Sequence, residues 1–201
     1  MLRRYCSVCL LLALVATLLF QCGEKQQDQK PTFTKADSLT DTYLSLKDSV
    51  LQAWNVMIND DDRKLTAMKH LLHELKVSGA ADPSLIANYE ERLAQLRRSR
   101  YNQKTMSNPD IVEEYDFASN ALISELITLA ESRKEFAYNP TLQKLTDQIR
   151  TADQRVAIYR EQYDDITMKY NRFVDENSKY LKEIESDTLP NKKPLFQMAL
   201  E

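Results

Sequence analysis

Between Leu142 and Ile184 every third or fourth residue is apolar or aromatic: Leu142, Leu145, Ile149, Ala152, Val156, Tyr159, Tyr163, Ile166, Tyr170, Phe173, Tyr180 and Ile184. Asn177 is the one polar member of the series. A strand alternates with a period of two, whereas this spacing puts all the side chains on one face of a helix. Pro140 opens the stretch, and neither proline nor glycine interrupts it before Pro190. The expected element is one helix, about 65 Å long at ~1.5 Å per residue, carrying a single buried seam. Asn177 is expected to set its register, as a polar residue at a coiled-coil core position does.

The same punctuation organises the rest of the chain. Gly23 and Gly79 are the only glycines, too few for the tight turns of a β-rich fold, so the class is all-α. A first helix is expected to begin between Thr34 and Ser38, where Thr34 and Asp37 have the spacing of a capping box. Its stripe runs Leu39, Tyr43, Leu46, Val50, Trp54, Met57, Asp61, Leu65, Met68, Leu72 and Leu75. The four-residue step from Val50 to Trp54 unwinds the seam locally. Gly79 is placed to end the helix in a left-handed cap. Asp82-Pro83, Asn108-Pro109 and Asn139-Pro140 each pair an N-cap with a first-turn proline and open three further helices. The architecture that follows, over residues 37–185, is an antiparallel up-down four-helix bundle with long first and last helices. Those two helices are expected to project as a stalk at the end near residue 36. Residues 186–201, with Pro190 and Pro194, read as a loose tail, or as one docking weakly through Pro194-Leu195-Phe196 to Leu200.

The N-terminus carries an address. Arg3 and Arg4 precede an apolar run from Tyr5 to Phe20, shorter than the ~20 residues of a comfortable membrane span. Leu19-Phe20-Gln21-Cys22 resembles a bacterial lipobox, although Gln21 stands where a small residue is usual. Residues 1–22 are therefore expected to be a signal peptide cleaved and lipidated at Cys22, with an uncleaved signal anchor as the alternative. Residues 23–36 are polar up to Pro31 and read as a disordered tether. The remaining cysteines, Cys6 and Cys9, also lie in the leader, so the folded part has no thiolate site or disulfide.

Composition limits the chemistry. Net charge is −3, and the basic residues are interleaved with acids, so nucleic-acid binding has no electrostatic footprint. His70 and His73, one turn apart and followed by Glu74, have a spacing that can hold a metal. The zinc-protease and di-iron patterns are both absent, which favours a solvated pair. Asn59-Asp60-Asp61-Asp62 has the composition of a calcium loop without its glycine or distal glutamate. Asp61 falls on the inner stripe and calls for a basic partner across the interface. Arg155 and Arg160 flank the seam of the last helix. There, long side chains reach an acid on a neighbour: Asp116, Glu125 or Glu131 on the third helix, or the Asp60 to Asp62 cluster on the first.

Glu131, Leu142, Leu145, Ile149, Arg155, Val156, Arg160, Tyr163-Asp164 and Tyr170-Asn171 resemble the C-terminal half of the LemA family. That family's pattern there is a Glu, then F-x-x-L-x-x-x-L, then E-N-R-I-x-x-x-R-x-x-Y-N and a second Y-N seven residues on. The chain departs at Arg133-Lys134 (Tyr-Pro in the family), at Asp153 (Glu) and at Asp164 (Asn), and it lacks the Pro after the last Y-N. The resemblance implies an N-terminal membrane anchor and a helical bundle outside the cytoplasm, and it brings no catalytic residues or cofactor. The expected function is a membrane-anchored cell-envelope scaffold or adaptor with unnamed protein partners. The alternatives are a metal-binding or enzymatic bundle using His70 and His73, and a periplasmic holdase. Lipid anchoring has a direct test: mass spectrometry of the membrane fraction is expected to find a mature chain starting at diacylated Cys22. An intact Met1 or an unmodified Cys22 would leave the signal-anchor alternative.

Overall fold

The computed structural model describes residues 34–79, 81–185 and 189–196. The signal segment 1–22 with Cys22, and the tether as far as residue 33, lie outside the described residues. Every regular element among the described residues is helical: α1 Lys35–Val77, α2 Pro83–Ser99, α3 Pro109–Glu131, α4 Pro140–Glu176 and α5 Ser178–Ile184. Short 3-10 turns at Thr105–Ser107 and Lys134–Tyr138 lie in the α2–α3 and α3–α4 connections. The chain divides into two compact units, Met1–Ser38 and Leu39–Glu201.

In the first unit Thr34 and Asp37 close a reciprocal capping box. The Thr34 amide and hydroxyl donate to the Asp37 carboxylate at 2.9 and 2.7 Å, and the Asp37 amide donates back to Thr34 Oγ1 at 3.1 Å. These bonds from Thr34 hold the Asp37 carboxyl below the usual carboxylate range. Lys35 and Ala36, expected in the tether, already belong to the helix.

In the second unit the helix starts follow the prolines. Asp82 accepts from the Ser84 amide at 2.7 Å, Asn108 from Asp110 at 3.1 Å, and Asn139 from Thr141 and Leu142 at 3.0 and 3.1 Å. Each side-chain oxygen satisfies amides that have no partner inside the first turn. Gly79 takes φ 62°, and a Cβ there would meet nothing within 4 Å, so the left-handed conformation is what calls for glycine.

One hydrophobic core is shared by α1 to α5, from Tyr43 and Trp54 through Leu65, Leu72, Ile86, Leu93, Leu122, Leu126, Ile149 and Tyr163 to Val174 and Leu181. Contacts between α1 and α4 pair Tyr43 with Tyr170, Trp54 with Tyr163, Asp60 with Arg155, and Lys64 with Asp153. Numbers on α4 fall as those on α1 rise, so these two helices run in opposite directions. Arg160–Asp116 with Arg150–Glu131 between α3 and α4 follow the same rule, and Arg92–Glu125 ties α2 to α3.

Three expectations are corrected. The last helix is not continuous to Ile184: it ends at Glu176 and restarts at Ser178. Asn177 is the cause, with φ −115° and ψ 23°; its backbone amide and its side-chain Nδ2 both donate to the Phe173 carbonyl, at 3.1 and 3.0 Å. A side chain competing for a helix carbonyl bends or ends the helix, so Asn177 is a break and not a register device. The buried face of α4 also drifts. Thr167 and Val174 are fully buried while Ile166 and Phe173 are half-covered, because a 3.6-residue turn walks off a strict 3–4 stripe over several turns. Finally, residues 189–196 follow the docking alternative and not the loose tail. They lie against α4, held by bonds from Asn171 and Asp164 and by Phe196 packed on the core.

The core makes a graded prediction. Leu126 is fully buried and Ile158 is 51% exposed. Leu126→Ala is expected to cost ~2–5 kcal/mol and Ile158→Ala less than ~0.5 kcal/mol by denaturant melting. Equal losses would contradict this assignment of inside and outside.

Candidate functional site

Asp60 and Asp61 are neighbours on α1, and ~100° of helix rotation per residue points them at different helices. Asp60 is 5% exposed and receives Arg155 of α4 through two bonds, Nε to Oδ2 at 3.1 Å and Nη2 to Oδ1 at 2.6 Å. Asp61 receives the Tyr115 hydroxyl of α3 at 2.6 Å and Arg100, the residue after α2, at 3.2 Å. Lys64, 3% exposed, lies 3.2 Å from Asp61 and 3.8 Å from Asp153 of α4. Asp62 takes the remaining reach of Arg100 at 2.7 Å. A few Å away Arg160 grips Asp116 through two 2.7 Å bonds and donates to the Tyr101 hydroxyl at 2.9 Å.

These groups surround a cavity of about 270 Å³ bounded by Asp60, Asp61, Lys64, Tyr101, Tyr115, Asp116, Ser119, Asp153 and Arg160. Burial, and then the Asp61 charge, push the Tyr115 hydroxyl well above its ordinary range, so it stays a neutral donor. Burial likewise pushes Tyr101 up, against the pull of Arg160. Burial opposes the charge on Arg160, but its bonds to Asp116 and Tyr101 outweigh it and hold the guanidinium above the ordinary arginine value. The result is a charge-matched lattice in which each acid meets a cation or a hydroxyl.

An aromatic node adjoins it. Trp54 meets Tyr163 edge-on at 5.6 Å between ring centres, Tyr101 at 6.2 Å, and stacks on Phe196 at 6.4 Å. Tyr101 and Tyr163 each meet Phe196 edge-on at 5.6 Å, and the Arg160 guanidinium lies over its ring at 4.8 Å. Edge-on and cation–π contacts of this kind each add ~0.5–1.5 kcal/mol to area burial.

The residues singled out from the sequence divide cleanly. Asp61 finds its basic partner, and Arg155 and Arg160 find theirs in Asp60 and Asp116. Glu125 pairs instead with Arg92, and Glu131 with Arg150. His70 and His73 are exposed on α1, away from the lattice. His70 borders an open groove of about 960 Å³ between α1 and α4, with Arg63, Thr66, Lys144 and Gln148. Among the described residues no group of three His, Cys, Asp or Glu is placed to hold a metal ion. Lys64, Arg100 and Tyr101 carry the site and were not anticipated, whereas Phe196 lies in the stretch through which the tail could dock. The signal for Lys64 was its i+3 spacing from the inward-facing Asp61, and for Arg100 its position at the end of α2 opposite that acid.

Compared with known proteins, residues 85–184 match the model of the LemA family. No curated protein and no solved structure matches the chain. The matched region holds Arg100, Tyr101, Tyr115, Asp116, Arg155 and Arg160, whereas Asp60, Asp61 and Trp54 precede it.

The side chain of Arg160 is 19% exposed and that of Arg155 is 37% exposed. Arg160→Ala is expected to cost ~2–4 kcal/mol because it strands Asp116 and Tyr101. Arg155→Ala should cost less, ~1–3 kcal/mol, since water can enter from its exposed side. Thermal unfolding decides: two melting curves indistinguishable from the parent would show that these arginines serve a partner and not the core.

Proposed function

This chain belongs to the LemA family, and on that footing we propose that it is a membrane-anchored scaffold or adaptor of the bacterial cell envelope. In this reading its helices form an antiparallel up-down four-helix bundle, tethered through lipidated Cys22 and held outside the cytoplasm. The opposed directions of α1 and α4, and of α3 and α4, support the bundle. The apolar leader ending in Leu19-Phe20-Gln21-Cys22 supports the anchor. No described helix is long and apolar enough to cross a membrane.

The observation that carries a binding role is how the interior acids are used. Asp60, Asp61 and Asp116 are spent on arginine and tyrosine partners from other parts of the chain, Arg155, Arg100, Tyr115 and Arg160. Acid–base catalysis needs a group whose proton moves near working pH. Here the arginines are held charged and the buried tyrosines neutral, which suits a rigid frame that presents its surface to other proteins.

Two measurements on the full chain in detergent test the reading. Metal analysis is expected to find less than stoichiometric metal, and a pull-down from the envelope with the tether intact is expected to retain defined proteins. Stoichiometric metal lost on His70→Ala with His73→Ala would replace this reading with a metal-binding one.

A further inference from the structure

The way residues 189–196 are held points to recognition of a peptide. Asn171 grips one residue of the segment from both sides: its Nδ2 donates to the Lys193 carbonyl, and its Oδ1 accepts from the Lys193 amide, both at 2.8 Å. Seven residues back on α4, Asp164 is 3% exposed and accepts from the Phe196 amide at 2.9 Å. Two helical turns separate these clamps by about 10.5 Å. Three residues of extended chain span about 10–11 Å, which is the step from Lys193 to Phe196. Bonds to the main chain accept many sequences, and the side-chain contacts then supply selectivity. Phe196 enters the cage of Trp54, Tyr101 and Tyr163 under Arg160, while Lys192 pairs with Asp175 at 2.7 Å. Pro194 lies between the clamps, where the chain asks for no amide donor.

We propose that this face of α4, with Trp54 and Tyr101, is a peptide-binding groove. It takes an extended segment of a partner protein with the pattern basic–x–Pro–x–aromatic, and residues 189–196 are its occupant in cis. The inference rests on the binding role proposed above and gives that role a site and a ligand class. An intramolecular occupant acts at an effective concentration in the millimolar range, so a partner must outcompete it or arrive when it is released. The cis segment thereby sets a threshold on binding in trans.

The test uses the full chain in detergent and a fluorescent peptide with the sequence of Leu189 to Phe196. Phe196→Ala removes the anchor of the cis segment at the edge of the core, and a chain stopped after Glu185 removes the segment altogether. Both are expected to bind the peptide at least ~10-fold more tightly than the parent. Adding Asn171→Ala to Phe196→Ala, or replacing the peptide's phenylalanine by alanine, is expected to weaken binding at least ~10-fold. If both opened chains keep the parent's helix content and neither binds the peptide, the groove is no peptide site. A parent dimer that Phe196→Ala dissolves would make a second copy the occupant and overturn the assignment to a partner. If envelope proteins are retained equally by the parent, Phe196→Ala and Asn171→Ala/Phe196→Ala, the scaffold role stands and this site for it falls.

Discussion

Two adjacent acids on α1 fix the placement of α2, α3 and α4. Asp60 reaches α4 through Arg155, while Asp61 reaches α3 through Tyr115 and the end of α2 through Arg100. Removing a carboxylate from water costs several kcal/mol unless bonds replace its hydration. Each of these partners is directional, and a slip of α1 by one turn, about 5.4 Å, would break all of them together. The apolar seams alone are tolerant of such slips, since leucine packs on leucine at many offsets. The ion lattice is what makes one register cheaper than its neighbours, a use of buried charge known from single polar residues in coiled coils.

Much of this was legible because helices announce their ends and their inner faces. Asp82-Pro83, Asn108-Pro109 and Asn139-Pro140 open the helices at the expected residues, and the Thr34–Asp37 capping box closes as its spacing implies. Arg155 and Arg160 could be placed beside the seam, since angular position follows from residue number alone. What was illegible depends on competition or on distance. Whether Asn177 bonds across a seam or folds back on Phe173 turns on local geometry that no periodicity encodes. Thr167 is buried with the core because drift of the stripe outweighs its polarity. Phe196 stands 142 positions from Trp54 (196 − 54), and only the folded chain brings the two rings together.

Arg160 joins the two halves of the site. Its Nη1 and Nη2 groups are spent on Asp116 and Tyr101, and its face lies over Phe196. A guanidinium can do both at once because its donors lie in the plane and its cation–π surface lies above it, which a lysine could not match. The segment 189–196 is therefore seated on a group whose orientation is already set by α3 and the end of α2. Little side-chain entropy is left to lose when an aromatic ring arrives, so the cage is preorganised.

That preorganisation also explains how a charged interior can serve binding. The guanidinium that meets Phe196 is the one that ties α4 to α3, so a ligand at the groove rests on the interactions that define the fold. Asp164 and Asn171 are rooted in the same helix, one buried and one half-buried, and offer their polar atoms to main-chain groups. A helix that keeps seven-residue spacing between two such clamps presents them in line with an extended chain, without needing a sheet edge. The seam that builds the core and the groove that receives a segment are thus two readings of one periodicity on α4.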